Sequence, residues 1–291
     1  MDEQDRLAER FETQRGRLRA VAYRLLGSFG EAEDAVQEAW LRLSRTDVSE
    51  VENLPGWLTT VVSRLCLDVL RARRSHPELL SEELWDAVDG SDPAQEAVLV
   101  DSVGRALLVV LDTLAPAERI AFVLHDTFAV PFDRIAPIVG RTPVTTKKLA
   151  SRARRKIHGT PTLPRAELAH HRQVVDAFLT AARGGDLDAL LAVLAPDVVR
   201  RADPAALPPG LPTEVHGARA VADETTLLSR RSHFATPALV NGKVGLLVAP
   251  RGRLRLALTF TIRADRITAY EVIATPPRLR RLTLAILPAQ N

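Results

Sequence analysis

Cysteine occurs once in this sequence, as Cys66 in an apolar run (Val61, Val62, Leu65, Cys66, Val69), so one chain can form neither a disulfide framework nor a CxxC metal motif. A lone thiol in such surroundings fits a reducing compartment. No uninterrupted apolar run approaches the roughly 20 residues that span a membrane. The first ten residues, MDEQDRLAER, are charged and lack the apolar core of a secretion signal, so a cytoplasmic location is expected. Internal repeats and long low-complexity segments are missing too. Net charge is only +3, from 39 basic and 36 acidic residues, so a nucleic-acid partner requires the basic residues to be concentrated somewhere. What is present, 46% hydrophobic and 26% charged residues, is the composition of a folding globular protein. A chain of 291 residues has room for two or three cores.

From Leu7 to about Arg74 apolar residues recur at helical steps: Val21, Leu25, then Ala35, Ala39, Trp40 and Leu43. In SFGEAEDA, Ser28 or Gly30 can cap a restarted helix, and Glu31, Glu33 and Asp34 suit its positive end. NLPGWLTTVVSRLCLDVLRARR breaks at Pro55-Gly56 and runs on as a helix with Trp57, Val61, Leu65 and Val69 on an apolar face and Arg64 and Arg71 on another. Residues 76–103 gather Glu78, Glu82, Glu83, Asp86, Asp89, Asp92, Glu96 and Asp101 among the breakers Pro77, Gly90 and Pro93, which predicts an acidic linker.

A second helical block covers 104–158. It holds PAERIAFVLHD, then FDRIAPIVG, whose internal Pro137 predicts a bent or late-starting helix. Gly140 turns the chain, Thr142 fits the N-cap of the next helix, and Pro143 fits its first position, where a missing N–H costs nothing. That is helix-turn-helix spacing. A linker over 159–166 leads into 167–291, where AELAHHRQVVDAFLTAARGGDLDALLAVLAPDVV predicts two helices, GARAVADETTLLSRR a third, and the stretch from PALVNGKVGLLV to ITAYEVIA alternates like strands. Asn241-Gly242 and Arg251-Gly252 are strong hairpin signals, and Ala264-Asp265-Arg266 is a weaker one. Helices followed by an antiparallel meander predict an α+β domain with its sheet curled over the helices.

The charge is indeed concentrated. GRTPVTTKKLASRARRKI, residues 140–157, carries seven basic side chains and no acidic one. On a helix these leave Leu149, Ala153 and Val144 to pack inward. As the second helix of a helix-turn-helix, this element would set its first residues against base edges in the major groove while Lys and Arg neutralise phosphate. Thr142, Val144, Thr145, Lys147 and Lys148 are the candidates for base contact, and Arg152, Arg154, Arg155 and Lys156 for the DNA backbone.

Two blocks, in order, resemble a known family. YRLLGSFGEAEDAVQEAWLRL with GWLTTVVSRLCLDVLRARR resembles region 2 of the extracytoplasmic-function group of bacterial sigma-70 factors, and LAPAERIAFVLHDTFAVPFDRIAPIVGRTPVTTKKLASRARRKI resembles region 4. The resemblance implies an alternative sigma factor: two all-α helical domains, 1–75 and 104–158, that bind core RNA polymerase and direct it to promoter DNA. It implies that region 2 reads the −10 element and region 4 the −35. In DAVQEAWLRL, Asp34, Gln37, Glu38, Leu41 and Arg42 would meet the polymerase clamp. In the loop SRTDVSEVENLPG, which captures a flipped base in the family, Asn53, Leu54 and Pro55 are the candidates. Thr60, Ser63, Arg64, Arg71, Arg73 and Arg74 would face DNA beyond it, whereas Trp57 sits on the apolar stripe and reads as core. The acidic linker would thread toward the polymerase cleft.

Residues 167–291 resemble the SnoaL-like branch of the NTF2-like fold, an α+β cone, as found fused to some of these sigma factors, where it is thought to tune activity in cis instead of a separate anti-sigma protein. Two stretches depart from that pattern: Asp203-Pro204-Ala205-Ala206 stands where a DGGG stretch is common, and Thr275-Pro276-Pro277-Arg278-Leu279 where an Asn-Pro-acidic-Lys-Leu motif is common. Cones of this kind also host enzymes. Asp197, Asp203, His216, Asp223 and His233 are the acid-base candidates, but their spacing is undiagnostic, Asp197 and His216 read as turn or cap residues, and the adjacent His170-His171 point to different faces. No enzyme activity, no metal and no cofactor are expected, while an apolar-lined cone can still hold a small ligand. A stand-alone helix-turn-helix regulator with a ligand-sensing cone is the competing function, but it has no need of DAVQEAWLRL or the helix ending LRARR.

Overall fold

A computed structural model describes residues 3–46, 51–75 and 102–288. The acidic linker expected over 76–103 lies outside the described residues except for its last two positions, which already begin a helix. The described chain divides into two units, one of residues 3–46, 51–75 and 111–155 and one of residues 102–110 and 156–288.

The first unit is all helix. Helix α1 (Glu3–Leu26) buries Phe11, Leu18, Val21, Ala22 and Leu25, a stripe at three and four residue steps. Ser28, rather than Gly30, caps α2 (Phe29–Leu43), its hydroxyl accepting from the Glu31 amide at 3.4 Å. Helix α3 (Leu54–Ser75) packs on both α1 and α2. The carbonyls left open at the end of α1 are met by guanidinium groups: Arg73 donates to the Leu26 carbonyl at 2.9 Å, and Arg119 to that of Arg24 at 3.5 Å. Cys66 is buried among these helices, and burial pushes its thiol up to about 12, so it stays protonated and serves only as apolar packing.

Helix α4 (Ser102–Asp112) precedes α5 (Pro116–Phe122), which has Pro116 at its first position and passes into a single π turn over Val123–Thr127. Helix α6 (Phe132–Val139) starts on time despite Pro137 and ends at Gly140, whose φ of +66° allows the left-handed turn into α7 (Pro143–His158). Helices α5 and α6 also pack on α3. Neighbours on both sides explain why α3 is apolar around so much of its circumference. Its fully buried stripe is Leu54, Leu58, Val62 and Cys66, one position away from the expected one, while Trp57, Val61, Leu65 and Val69 are half-buried.

In the second unit α8 (Arg165–Gly184) and α9 (Leu187–Val193) lead into β1 (Leu194–Ala202) and β2 (Glu214–His216), followed by α10 (Ala218–Leu227) and α11 (Ser229–Ser232). Then come β3 (Ala235–Val240), β4 (Lys243–Val248), β5 (Leu256–Arg263), β6 (Arg266–Ile273), the short α12 (Pro276–Leu279) and β7 (Leu284–Ala285). The seven strands run in the order β2-β1-β6-β5-β4-β3-β7, all antiparallel except β1 with β6. The α+β architecture is thus as expected. Phe178 of α8 lies edge-on at 5.4 Å to Phe260, which pairs across strands with Tyr270, so one helix ring closes a three-ring core worth about 3–5 kcal/mol if Phe178 is cut to Ala.

The hairpin signals sort differently. Asn241-Gly242 forms a tight turn with both residues at positive φ, and so does Ala264-Asp265, the signal ranked weaker. Arg251-Gly252 does not, because Pro250 opens a 3-10 turn there and the β4 to β5 connection is longer. Residues 159–166 are not a free tether either. The Thr162 amide and hydroxyl both donate to the Gly242 carbonyl, at 2.9 and 3.2 Å, and a Cβ at Gly242 would lie 2.6 Å from the Thr162 methyl.

Candidate nucleic-acid and polymerase interface

Helix α7 is opened by Thr142, whose hydroxyl accepts from the Thr145 amide at 3.3 Å, and its first turn presents Thr142, Val144, Lys147 and Lys148 to solvent with Thr145 half-buried. Val144 was expected inside by periodicity and is instead 67% exposed. Thr146, Ala150, Ala153 and Ile157 form the inner face in its place. An exposed valine methyl pair beside Thr145 and Lys148 is a surface suited to thymine methyls and base edges.

Arg152, Arg155 and Lys156 are exposed. Arg154 is half-buried and held by Asp126 of the π turn through two bonds, at 2.5 and 2.8 Å, while His125 Nδ1 lies 2.6 Å from the same carboxylate and its ring stacks on Phe132 at 3.9 Å. Burial raises the Asp126 carboxyl, but the bonds from Arg154 and His125 outweigh that and hold it below its ordinary value. Arg154 therefore fixes α7 against the preceding turn, and less of it is available to phosphate than the sequence suggests.

The residues expected to meet the −10 element divide. Arg64, Arg71 and Arg74 are exposed, Thr60 is half-buried, and Asn53 and Pro55 are exposed at the start of α3, where the Asn53 side chain accepts from the Gly56 amide at 3.0 Å and caps the helix. Leu54 and Ser63 are corrected: Leu54 is 2% exposed and Ser63 fully buried, because the inner stripe of α3 includes both, so neither can touch DNA in this packing. The Ser63 hydroxyl finds no partner there. Arg73 is spent internally, on the Leu26 carbonyl and on Glu31. Residues 47–50 of the expected base-capturing loop lie outside the described residues.

On α2 the polymerase candidates Asp34, Gln37, Leu41 and Arg42 are exposed and Glu38 is half-buried, bonded to Arg42 at 3.0 Å. Among the described residues, the large apolar side chains that stand exposed are Phe29, Leu41, Val144 and Leu227. Two of these four fall on the faces proposed for polymerase and DNA, where an unburied apolar group has a use.

Residues 10–76 match Sigma-70 region 2, and residues 104–157 match Sigma-70, region 4. The sequence is 38% identical to the probable ECF RNA polymerase sigma factor SigI of Mycobacterium tuberculosis, over 96% of this chain and 97% of that one. The chain belongs to the extracytoplasmic-function sigma factor family. It is also 36% identical to the ECF RNA polymerase sigma factor SigJ of Mycobacterium tuberculosis, over 92% of this chain and 91% of that one. The crystal structure of that SigJ covers 94% of this chain and 98% of its own, with a TM-score of 0.46.

The second unit of this sigma factor holds two features that the spacing of its residues did not announce. The departing stretches at 203–206 and 275–279 meet: the Asp203 carboxylate accepts from the Ala274 and Thr275 amides at 3.0 and 2.9 Å, from the Thr275 hydroxyl at 2.7 Å, and from Arg278, which also bonds Glu271 at 2.6 Å. Burial raises the Asp203 carboxyl, but these donors hold it at about 2. The second feature is a cavity under the sheet, reached by none of the acid-base candidates. Asp197 and His233 are exposed, His216 pairs with Glu214 at 2.8 Å on the edge strand, and Asp223 pairs with Arg219 at 3.2 Å. Among the described residues no group of His, Cys, Asp and Glu could hold a metal ion, and no helix is long and apolar enough to cross a membrane.

Proposed function

We propose that this sigma factor acts in the cytoplasm as an alternative, dissociable subunit that docks on the clamp region of core RNA polymerase through Asp34, Gln37, Glu38, Leu41 and Arg42 of α2. Asn53, Pro55, Thr60, Arg64, Arg71 and Arg74 then serve the −10 element, and Thr142, Val144, Thr145, Lys147 and Lys148 the −35, with Arg152, Arg155 and Lys156 on phosphate. The observation that carries this reading is the exposure of Val144, Lys147 and Lys148 on one capped helix start, in a chain whose two sigma regions match in order.

The cone tunes the activity in cis and catalyses nothing. Support comes from its hold on both ends of the region 4 match. Arg105 of α4, 6% exposed, donates to the His233 carbonyl at 2.9 Å, and the Ile157 carbonyl in the last turn of α7 accepts from the Ile286 amide at 2.8 Å. Run-off transcription with core polymerase tests both parts, using the full chain and a form cut after Ile157 on a pool of promoter fragments. Initiation by either form is expected, with different promoter use or yield between them. Failure of both, while the protein still shifts duplex DNA, refutes the assignment of faces to polymerase; equal behaviour of both refutes tuning.

A further inference from the structure

The cavity of the second unit lies between the sheet and the helices α8 and α10. It has about 90 Å³ of space open to the centres of water-sized spheres. One water needs about 10–15 Å³ in that measure, so there is room for roughly six to nine heavy atoms. Apolar side chains, among them Phe178, Leu246 and Val272, form most of the wall and a few polar groups the rest, which is the make-up of a small-molecule site.

What the polar groups still have to offer decides the ligand. Arg200, 2% exposed, spends its guanidinium on the Pro212 carbonyl at 2.9 Å and on Glu224, so the two charges cancel and neither calls for an ion. Arg231 is likewise engaged, in a bond to the Ala206 carbonyl at 2.7 Å and in a further interaction. The two hydroxyls of the lining differ from these. Thr225 has one hydroxyl proton and donates it to the Val221 carbonyl at 2.8 Å, so across the 3.2 Å between Thr225 Oγ1 and the Tyr270 oxygen it is Tyr270 that donates. Burial pushes the Tyr270 hydroxyl up to about 12, so that proton stays in place. The Tyr270 oxygen keeps a lone pair, and no donor among the described residues bonds it.

We propose that this cavity binds a small uncharged molecule with an apolar body and one hydroxyl, the class of the simple phenols and alcohols, its hydroxyl donating to the Tyr270 oxygen and its body lying against Phe178 and Leu246. A ketone or an ether would set an acceptor against an acceptor, and an ion would enter with no opposite charge left to meet it. The site stands whether or not the second unit tunes transcription, because it rests on the lining alone. Phenol, with seven heavy atoms, is the probe. Toluene keeps its shape with a methyl in place of the hydroxyl, and benzoate and benzylamine, with nine and eight heavy atoms, carry charge of either sign.

Titration calorimetry on the full-length protein should show saturable one-to-one binding of phenol below about 1 mM, at least as tight as that of toluene although water holds phenol more strongly. Benzoate and benzylamine should bind at least tenfold more weakly. Tyr270→Phe, which removes the acceptor and keeps the ring, should lower the ratio of phenol to toluene affinity at least fivefold while toluene still binds. Absence of saturable phenol binding up to about 1 mM overturns the site. Toluene binding tighter than phenol, either ion binding as tightly as phenol, or a ratio unmoved by Tyr270→Phe overturns the hydroxyl compound as its ligand. The ligand comparisons use the parent protein, so they decide the matter even where Tyr270→Phe fails to fold.

Discussion

Replacing Asp203 by Asn should destabilise the cone by an amount that the structure sets. Asp203 takes four donors from residues 274–278, and its carboxyl is held at about 2 against an ordinary value of 3.8. Each pH unit of displacement is about 1.4 kcal/mol, so the ionised carboxylate contributes about 2.5 kcal/mol. Because the folded value is depressed, this contribution is complete at pH 7, falls once pH drops below about 4, is about half gone near pH 3, and vanishes below about 2. Asn keeps an acceptor for the two amides but loses the charge opposite Arg278. We expect Asp203→Asn to lower the melting temperature of the cone by about 5–10 °C at pH 7 and by about half as much at pH 3. All three tryptophans, Trp40, Trp57 and Trp85, precede the cone in sequence, so calorimetry or hydrogen exchange of β6 amides is the assay rather than tryptophan fluorescence. A loss below about 2 °C at pH 7, or one that does not shrink on acidification, would refute the reasoning.

Other substitutions probe the helical parts. Lys147→Ala with Lys148→Ala should weaken promoter binding and lower the salt-dependence slope by up to about one unit per lost phosphate contact, read from binding isotherms across salt concentrations; an unchanged slope removes both lysines from the phosphate. Ser63→Ala should stabilise the isolated protein by about 1 kcal/mol in urea unfolding, since it deletes a buried hydroxyl that finds no partner. Arg105→Ala should cost about 1.5–3 kcal/mol and raise amide exchange in α4, and exchange no faster than in the parent would deny its bond to His233 any holding role.

What the sequence disclosed were the features decided within a few neighbours. The Thr142 cap, the Gly140 turn and the Asn241-Gly242 hairpin depend on local hydrogen bonds and on φ, and each is where its residues predict. The face of α3 was misjudged because two apolar rows lie one position apart, and only the packing of α5 and α6 on its far side decides which is deeper. Val144 stands out although it is apolar, since α7 already fills its inner face with Thr146, Ala150 and Ala153. The cavity was illegible for a different reason. Arg200 and Tyr270 lie on neighbouring strands that pair in parallel, and they join Glu224 and Arg231 only through that long-range pairing, so no spacing in the sequence marks them as one site.

The division of the chain into units does not follow the bounds of the region 4 match. The region 4 match runs from 104 to 157, yet residues 102–110 and 156–158 belong to the same unit as the cone, and both crossings between units fall inside continuous helices, α4 and α7. The attachment points are close to the cavity. His233, whose carbonyl holds Arg105, directly follows Ser232 and is two residues from Ala235, and both of these line the cavity. Arg183 grips the same segment through the Ser232 and Ala235 carbonyls at 3.2 and 2.6 Å. The first helix of region 4 is thereby bonded to the segment 232–235 that Arg183 holds.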